Sequence, residues 1–142
     1  KIYKAKCTVT NYVSGACYFR MPFNNATGVN RIEQNGEYEF ISVADNNYSN
    51  IVIASATSNA NMDITNISVI EITDDTNLPR INYEGFSYQD ALGSELVVNG
   101  SFDSDTAWDL GTGWTISGGS ANCDGVGFPY IRQNNVLVSG KT

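Results

Sequence analysis

Apolar and polar residues alternate along much of this 142-residue chain, and no stretch shows the 3.6-residue spacing of an amphipathic helix. The clearest example is the segment 2–9, where one face consists of Tyr3, Ala5, Cys7 and Val9. Because successive side chains of a strand point to opposite faces, this pattern indicates a strand with one buried and one solvent-exposed face. Only 16% of the residues are charged, which fits strands joined by polar turns. We therefore predict an all-β protein.

Further strands are expected throughout the chain. The first 72 residues hold about five strands, with an Asn-Gly hairpin corner at Asn35 and Gly36. After residue 95 four short strands are predicted, at 96–100, 111–117, 130–133 and 136–138.

The segment 73–94 separates these two groups of strands. It contains acidic residues, Pro79 and two glycines, and it lacks sustained alternation. We interpret it as a linker between residues 1–72 and residues 95–142, one that packs onto a surface through its aromatic side chains.

Composition and charge argue against several functions. A net charge of −7 lacks the basic stripe expected of a nucleic-acid-binding protein. No apolar run reaches the roughly 18 residues of a membrane helix, so no membrane insertion is expected. The first residue is Lys1 with no signal pattern after it, so we expect a processed product or part of something longer. The chain has no histidine and no recognisable pair of catalytic carboxylates, which predicts that it is not an enzyme.

The three cysteines lack the spacing of a zinc or redox motif. Cys7 and Cys17 lie symmetrically about Tyr12, so a hairpin turning there would place them opposite each other and allow a disulfide. The alternative is three small buried thiols, with Cys123 unpaired in either case.

Residues 95–142 resemble the N-terminal half of a known module. The resemblance rests on LVVNGSFD at 96–103, on Trp108 and on GTGWTI at 111–116. These residues resemble the jelly-roll modules related to carbohydrate-binding modules that recur in phage tail fibres and bacterial surface proteins. The resemblance implies that Trp108 and Trp114 are core aromatics.

Residues 1–72 resemble the C-terminal half of the same module. The residues concerned are 3–15, the Asn35-Gly36 corner and ITNISV at 64–69, while NLPRINY at 77–83 resembles a linker of phage structural proteins. The two halves thus stand in swapped order, and VLVSGKT at the end would continue into KIYKAKCTVTNYVSG at the start. The expected fold is an antiparallel β-sandwich, a jelly roll that is permuted or completed by strands from a neighbouring copy.

Three arrangements could complete the module. One chain could close on itself as a permuted sandwich, one half could complete the other half of the next copy, or the chain could be one period of a tandem array. Strand exchange between copies would be head-to-tail and would propagate as a filament. The last two arrangements predict a non-enzymatic, extracellular structural or adhesive unit of a surface filament or virion fibre, whose partners are copies of itself and cell-surface glycans. The alternative function is a monomeric carbohydrate-binding module, alone or as an appendage of a glycan-active enzyme.

Candidate binding and modification sites follow from residue type and setting. Sugar-binding sandwiches stack aromatic rings on sugar faces, and Tyr18, Tyr48 and Tyr130 each lie beside polar residues or in a turn. Among the Asn-x-Ser/Thr sequons, the best candidates for glycosylation are the loop residues Asn25 and Asn47.

No cofactor is expected. In calcium-binding members of the resembled modules an Asp of the closing strand helps to hold the ion, and the matching residue here is Thr65. The remaining candidates for oxygen ligands of a structural calcium ion are Asp63, Asp103 and Asp105.

Overall fold

A computed structural model describes residues 1–21, 30–43, 49–73, 91–124 and 130–138. The predictions at Tyr48, Asn25 and Asn47, and most of the predicted linker, lie outside these residues. The strands are β1 (Ile2–Ser14), β2 (Cys17–Arg20), β3 (Arg31–Ile32), β4 (Gly36–Val43), β5 (Ile51–Ser55), β6 (Asn61–Thr73), β7 (Ala91–Glu95), β8 (Asp109–Leu110), β9 (Trp114–Ser117), β10 (Ser120–Cys123) and β11 (Tyr130–Gln133). Over the described ranges, no helix is long and apolar enough to cross a membrane.

The strands form two antiparallel sheets that pack face to face, so the predicted β-sandwich is confirmed. The larger sheet has the order β4-β1-β6-β10-β9, with β7 beside β6, and the smaller sheet has the order β3-β2-β5-β11-β8. The chain crosses between the sheets repeatedly, because consecutive strands such as β1 and β2, or β5 and β6, belong to different sheets. The core is the layer between the two inward faces.

The alternating pattern of the sequence accounts for this core. On β1, Tyr3, Ala5, Cys7 and Val9 are each at most 2% exposed, as the alternation predicts. Across the sandwich, the smaller sheet contributes Cys17, Phe19, Ile51, Ile53 and Ile131 to the same cluster. Small and large apolar side chains from the two sheets therefore fill one continuous interior.

One β-bulge changes which face of β6 is buried. In its first half Met62 and Ile64 point inward, whereas in its second half Ile67 and Val69 do so. The change of phase occurs at Asn66, which has a φ of 53°. A single additional residue in a left-handed conformation shifts the alternation by one, and so both halves of this long strand bury their apolar side chains.

Strands from both predicted halves pair within one chain. β6 of the first half pairs with β10 of the second half, and β5 pairs with β11. The hydroxyl of Tyr3 also donates to the Val138 carbonyl oxygen at 2.7 Å and accepts from the Val138 N–H at 3.0 Å. Strands of the two predicted halves therefore meet in one sandwich.

The Asn35-Gly36 corner is not a hairpin, and this prediction is wrong. β3, before the corner, pairs with β2 in the smaller sheet, whereas β4, after it, pairs with β1 in the larger sheet. The turn residues carry the chain across the edge of the sandwich. The Asn35 side chain accepts a hydrogen bond from the Tyr12 N–H at 2.8 Å, which fixes this crossing against β1.

Two predicted strands are irregular segments. Segment 96–100 bonds to β6 at its two ends, where the Leu96 N–H donates to the Val69 carbonyl oxygen and the Ile67 N–H donates to the Gly100 carbonyl oxygen, both at 2.9 Å. The part between these bonds is irregular, because Asn99 has a φ of 55° and the side chains of Glu95 and Gln133 bond the backbone of Val97 and Val98. Segment 136–138 buries Val136 and Leu137. Its backbone bonds the Ser49 carbonyl oxygen through Leu137 and the Tyr3 hydroxyl through Val138, which is not a strand ladder. The strand that precedes segment 96–100 is β7, which ends at Glu95.

The predicted opposition of Cys7 and Cys17 is also wrong. Cys7 lies on β1 in the larger sheet and Cys17 on β2 in the smaller sheet, so no hairpin places them across from each other. Cys7 and Cys17 are free thiols, and all three cysteines, including Cys123, are at most 2% exposed. A hydrogen bond with Cys123, together with burial, raises the pKa of the Cys17 thiol, and burial alone raises the pKa of Cys7 to about 12.

Candidate functional site

The outward face of the smaller sheet carries two rows of side chains across β2, β5 and β11. In one row Ala54 of β5 lies between Tyr18 and Tyr130, and each of these pairs is in direct register. In the next row Val52 lies between Arg20 and Arg132 in the same way. Residues in register on neighbouring strands share a face, so the central strand presents small side chains between large ones.

This difference in side-chain size creates a groove. Its volume is about 410 Å³, within the range of small-ligand sites, and its lining includes Arg20, Val52, Ala54, Ser55, Tyr130 and Arg132. Tyr18 is not among these lining residues, but it lies in register with Ala54 on the neighbouring strand. Neighbouring strands are about 4.8 Å apart, so the two tyrosines, separated by one strand, face each other over roughly 10 Å. The sheet therefore holds two of the predicted sugar-binding residues on one face, with an open floor between them.

Arginines hold the aromatic rings in place. The Arg132 guanidinium carbon lies 5.2 Å from the Tyr130 ring centroid, and Arg20 lies 5.6 Å from that of Tyr18. Arg31 of β3 approaches the Tyr18 ring from another strand, at 6.0 Å. Such cation–π contacts restrict the rotamers of both partners, which prepares the groove for a ligand.

The arginines differ in their acidic partners. Arg132 donates to the Asp109 carboxylate across β11 and β8, and Arg31 donates to Glu33 at 2.6 Å. The hydrogen bond to Glu33 raises the pKa of Arg31. Arg20 has no carboxylate within salt-bridge distance among the described residues, and the Nε of Arg132 is buried without a hydrogen bond. The groove thus contains guanidinium donors that the described protein groups leave unused.

The two tryptophans lie in the core and away from this groove. Trp108 is 8% exposed, packs against Phe102 at 5.0 Å between ring centroids, and donates from Nε1 to the Asn99 carbonyl oxygen at 3.0 Å. Trp114 is 4% exposed. Buried rings cannot stack on a ligand, so their role here is packing.

The three aspartates considered as calcium ligands do not come together. Asp63 accepts hydrogen bonds from the side chains of Asn11 and Asn122, and Asp103 accepts one from Ser101. No group of three or more Asp, Glu, Cys or His side chains in the described part of the chain could hold a metal ion. The hydroxyl of Thr65, at the position where the resemblance expects an Asp, donates to the Gly119 carbonyl oxygen at 2.7 Å.

Sequence reasoning missed two polar residues that organise the irregular segment 96–100. One is Glu95, whose Oε1 accepts hydrogen bonds from the N–H groups of Val69, Leu96 and Val97 at 2.8–2.9 Å. The amide of Gln133, 5% exposed, bonds both the N–H and the carbonyl oxygen of Val98 at 2.9 Å. A polar residue at an inward position of a strand, as Gln133 is on β11, was the available signal.

The chain matches no protein-family model, no curated protein and no solved structure. The likeness to carbohydrate-binding-module-like jelly rolls therefore remains a resemblance carried by short motifs.

Proposed function

We propose that this protein is a non-enzymatic, extracellular glycan-binding module of a surface fibre or filament, and that it binds sugar in the groove on its smaller sheet. The observation that supports this proposal is the placement of Tyr18 and Tyr130 on either side of Ala54. Tyr18 is half-buried, and Tyr130 is 37% exposed. The groove is shallow, as expected for a site that holds part of a long chain.

The chemistry of the groove suits a sugar. The C–H faces of a sugar ring are apolar and pack against an aromatic ring or against the side chains of Val52 and Ala54. Sugar hydroxyls accept hydrogen bonds from guanidinium groups, which present several donors in one plane. The groove offers both types of contact within one sheet face.

A glycan array with the purified chain tests this proposal. We expect wild type to bind at least one glycan, and Tyr130→Ala and Tyr18→Ala to weaken that binding about tenfold or more, since a good aromatic contact contributes about 1–3 kcal/mol. Tyr130→Phe keeps the ring and is expected to retain most of the binding. Ile41→Ala, on the outward face of the larger sheet, is the matched control and is expected to bind like wild type. The proposal would be contradicted by an array without a hit, or by Tyr18→Ala and Tyr130→Ala variants that both bind as tightly as wild type.

A second candidate function, self-assembly, is favoured by strand β4. It is an end strand of the larger sheet, and on its outward face Ile41 and Val43 are 61% and 58% exposed. Ile2 of β1 is in register with Val43 and extends this apolar strip. An end strand with apolar side chains is a template for pairing with a strand of another copy.

Sedimentation at increasing protein concentration tests assembly. If β4 mediates it, the wild type forms oligomers or filaments, and the double variant Ile41→Lys, Val43→Lys remains a monomer because charged edge strands resist pairing. Val13→Lys, at an equally exposed position of β1, serves as the control. A wild type that stays monomeric at high concentration would rule out this function.

A further inference from the structure

We propose that the ligand of this groove is an acidic sugar, whose carboxylate or sulfate group binds between Arg20 and Arg132. This inference rests on the proposed glycan-binding function and specifies the class of glycan. It is carried by the distribution of charge over the two sheets.

Positive charge is concentrated on this face of an otherwise acidic protein. The chain has eight Lys and Arg residues against fifteen Asp and Glu residues. Three of its four arginines nevertheless lie on the outward face of the smaller sheet, at positions 20, 31 and 132. Only two of them, Arg31 and Arg132, have a carboxylate partner among the described residues. The guanidinium charge of Arg20 therefore has no counter-ion among the residues that the structure describes.

The register places the Arg20 charge at the side of the groove floor. Arg20 and Arg132 flank Val52, so the two side chains border the same small residue from opposite sides. Asp109 of β8 pairs with Arg132 from the side of β11 that faces away from β5. An anionic group between the two arginines would accept charge-assisted hydrogen bonds from both. A neutral sugar would leave the Arg20 charge uncompensated.

The lysines of the larger sheet provide an internal contrast. Lys4 and Lys6 both lie within 4 Å of the Glu39 carboxylate, at 2.8 and 3.4 Å, and Lys1 lies 2.8 Å from Glu71. The cations of that sheet are thus neutralised within the protein. Charge complementarity consequently favours an anion at the groove over one on the opposite face.

The test compares ligands that differ only in charge. Uronic-acid oligosaccharides are titrated beside their methyl esters, and sulfated oligosaccharides beside their desulfated forms, with wild type, Arg20→Gln and Lys6→Gln. We expect wild type to bind one acidic form about tenfold or more tightly than its neutral counterpart, since hydrogen bonds to charged groups are the stronger ones. Arg20→Gln should lower the affinity for the acidic form by a larger factor than the affinity for the neutral form, and so lose most of that preference. Lys6→Gln removes the same charge from the larger sheet and should behave like wild type.

The outcomes separate this inference from the proposed function. Equal binding of acidic and neutral forms, with both lost in Tyr130→Ala, would overturn the acidic-sugar inference and leave glycan binding intact. An equal loss in Arg20→Gln and Lys6→Gln would also overturn it, because it would indicate a general charge effect. If wild type binds no member of the panel or of the array, both proposals fail. The carboxylate and sulfate pairs identify which anion the site accepts.

Discussion

The two outward faces of the sandwich follow the same strand geometry and yet form different surfaces. On the larger sheet, the residues in register with Lys4 are Ile41 and Ile70, so the central position of this row holds a long side chain and not a small one. On the smaller sheet, Ala54 lies between two tyrosines and Val52 between two arginines. A groove therefore depends on small residues at the outward positions of a central strand, and only the smaller sheet combines this with unused cationic donors.

The comparison also separates stability from recognition. The larger sheet contains the two 13-residue strands, β1 and β6, which pair with each other along most of their length. The strands of the smaller sheet have two to five residues. We infer that inward residues of the larger sheet dominate the free energy of unfolding, whereas outward residues of the smaller sheet affect ligand binding with little effect on stability.

The largest effect is expected when a core residue of β6 is shortened. Ile64 is fully buried, so Ile64→Ala should lower the free energy of unfolding by about 2–5 kcal/mol through lost burial and a residual cavity. Val52→Ala, on the groove floor of the smaller sheet, should cost less than about 1 kcal/mol. Denaturant titration of both variants measures the difference. Similar losses would break the division between a stabilising sheet and a binding sheet.

A smaller effect on the free energy of unfolding is expected from the thiol of Cys7, on the inward face of the larger sheet. Burial raises the pKa of Cys7 to about 12, whereas an unfolded thiol titrates near about 8.5. Above the unfolded value the unfolded chain releases a proton that the native chain retains, so stability falls as pH rises, by at most about 1.4 kcal/mol per pH unit.

The variant Cys7→Ala isolates this contribution. Its stability should decline less steeply than that of wild type between about pH 9 and pH 11, because the other thiols and the tyrosines are common to both proteins. Chemical denaturation at several pH values gives the two curves. Parallel curves would mean that Cys7 is not held in a dry interior, and the contrast with the open groove would be weaker.

The smallest effect is expected for the ion pairs on the larger sheet. Lys4 and Lys6 donate to Glu39, and the hydrogen bond from Lys4 is the main cause that lowers the pKa of Glu39. The contribution of this carboxylate is thus present at neutral pH and is lost as pH falls through its lowered pKa. Because the pairs are solvent-exposed, Glu39→Gln should change the unfolding midpoint only slightly and leave glycan binding unchanged. A clear loss of binding would show that the two faces are coupled.

The sequence predicted the strand content and the inward residues well, because alternation records burial directly. Tyr3, Ala5, Cys7 and Val9 are buried as expected. It predicted Tyr18 and Tyr130 as separate candidates, but it could not place them on one face, since that depends on both pairing with β5. The same limit applies to the corner at Gly36, where an Asn-Gly pair is compatible with a hairpin and with a crossing between sheets.

Partner choice also explains the failures at the cysteines and at segment 96–100. The symmetric spacing of Cys7 and Cys17 about Tyr12 suggested one hairpin, but β1 pairs with β4 in the larger sheet and β2 pairs with β5 in the smaller sheet. LVVNG has the composition of a strand, yet it bonds the backbone of β6 at Leu96 and Gly100, whereas Val97 and Val98 bond the side chains of Glu95 and Gln133. Local pattern thus indicated which residues are buried, while long-range pairing decided which residues meet.

The hydrogen bonds between Tyr3 and Val138 have a consequence for any fibre built from this unit. They hold the start of β1 next to residue 138, although the two bonded residues are 135 positions apart in the sequence. In a fibre whose connections enter and leave each unit at these two points, every unit would lie beside the path of the fibre, with entry and exit on the same side.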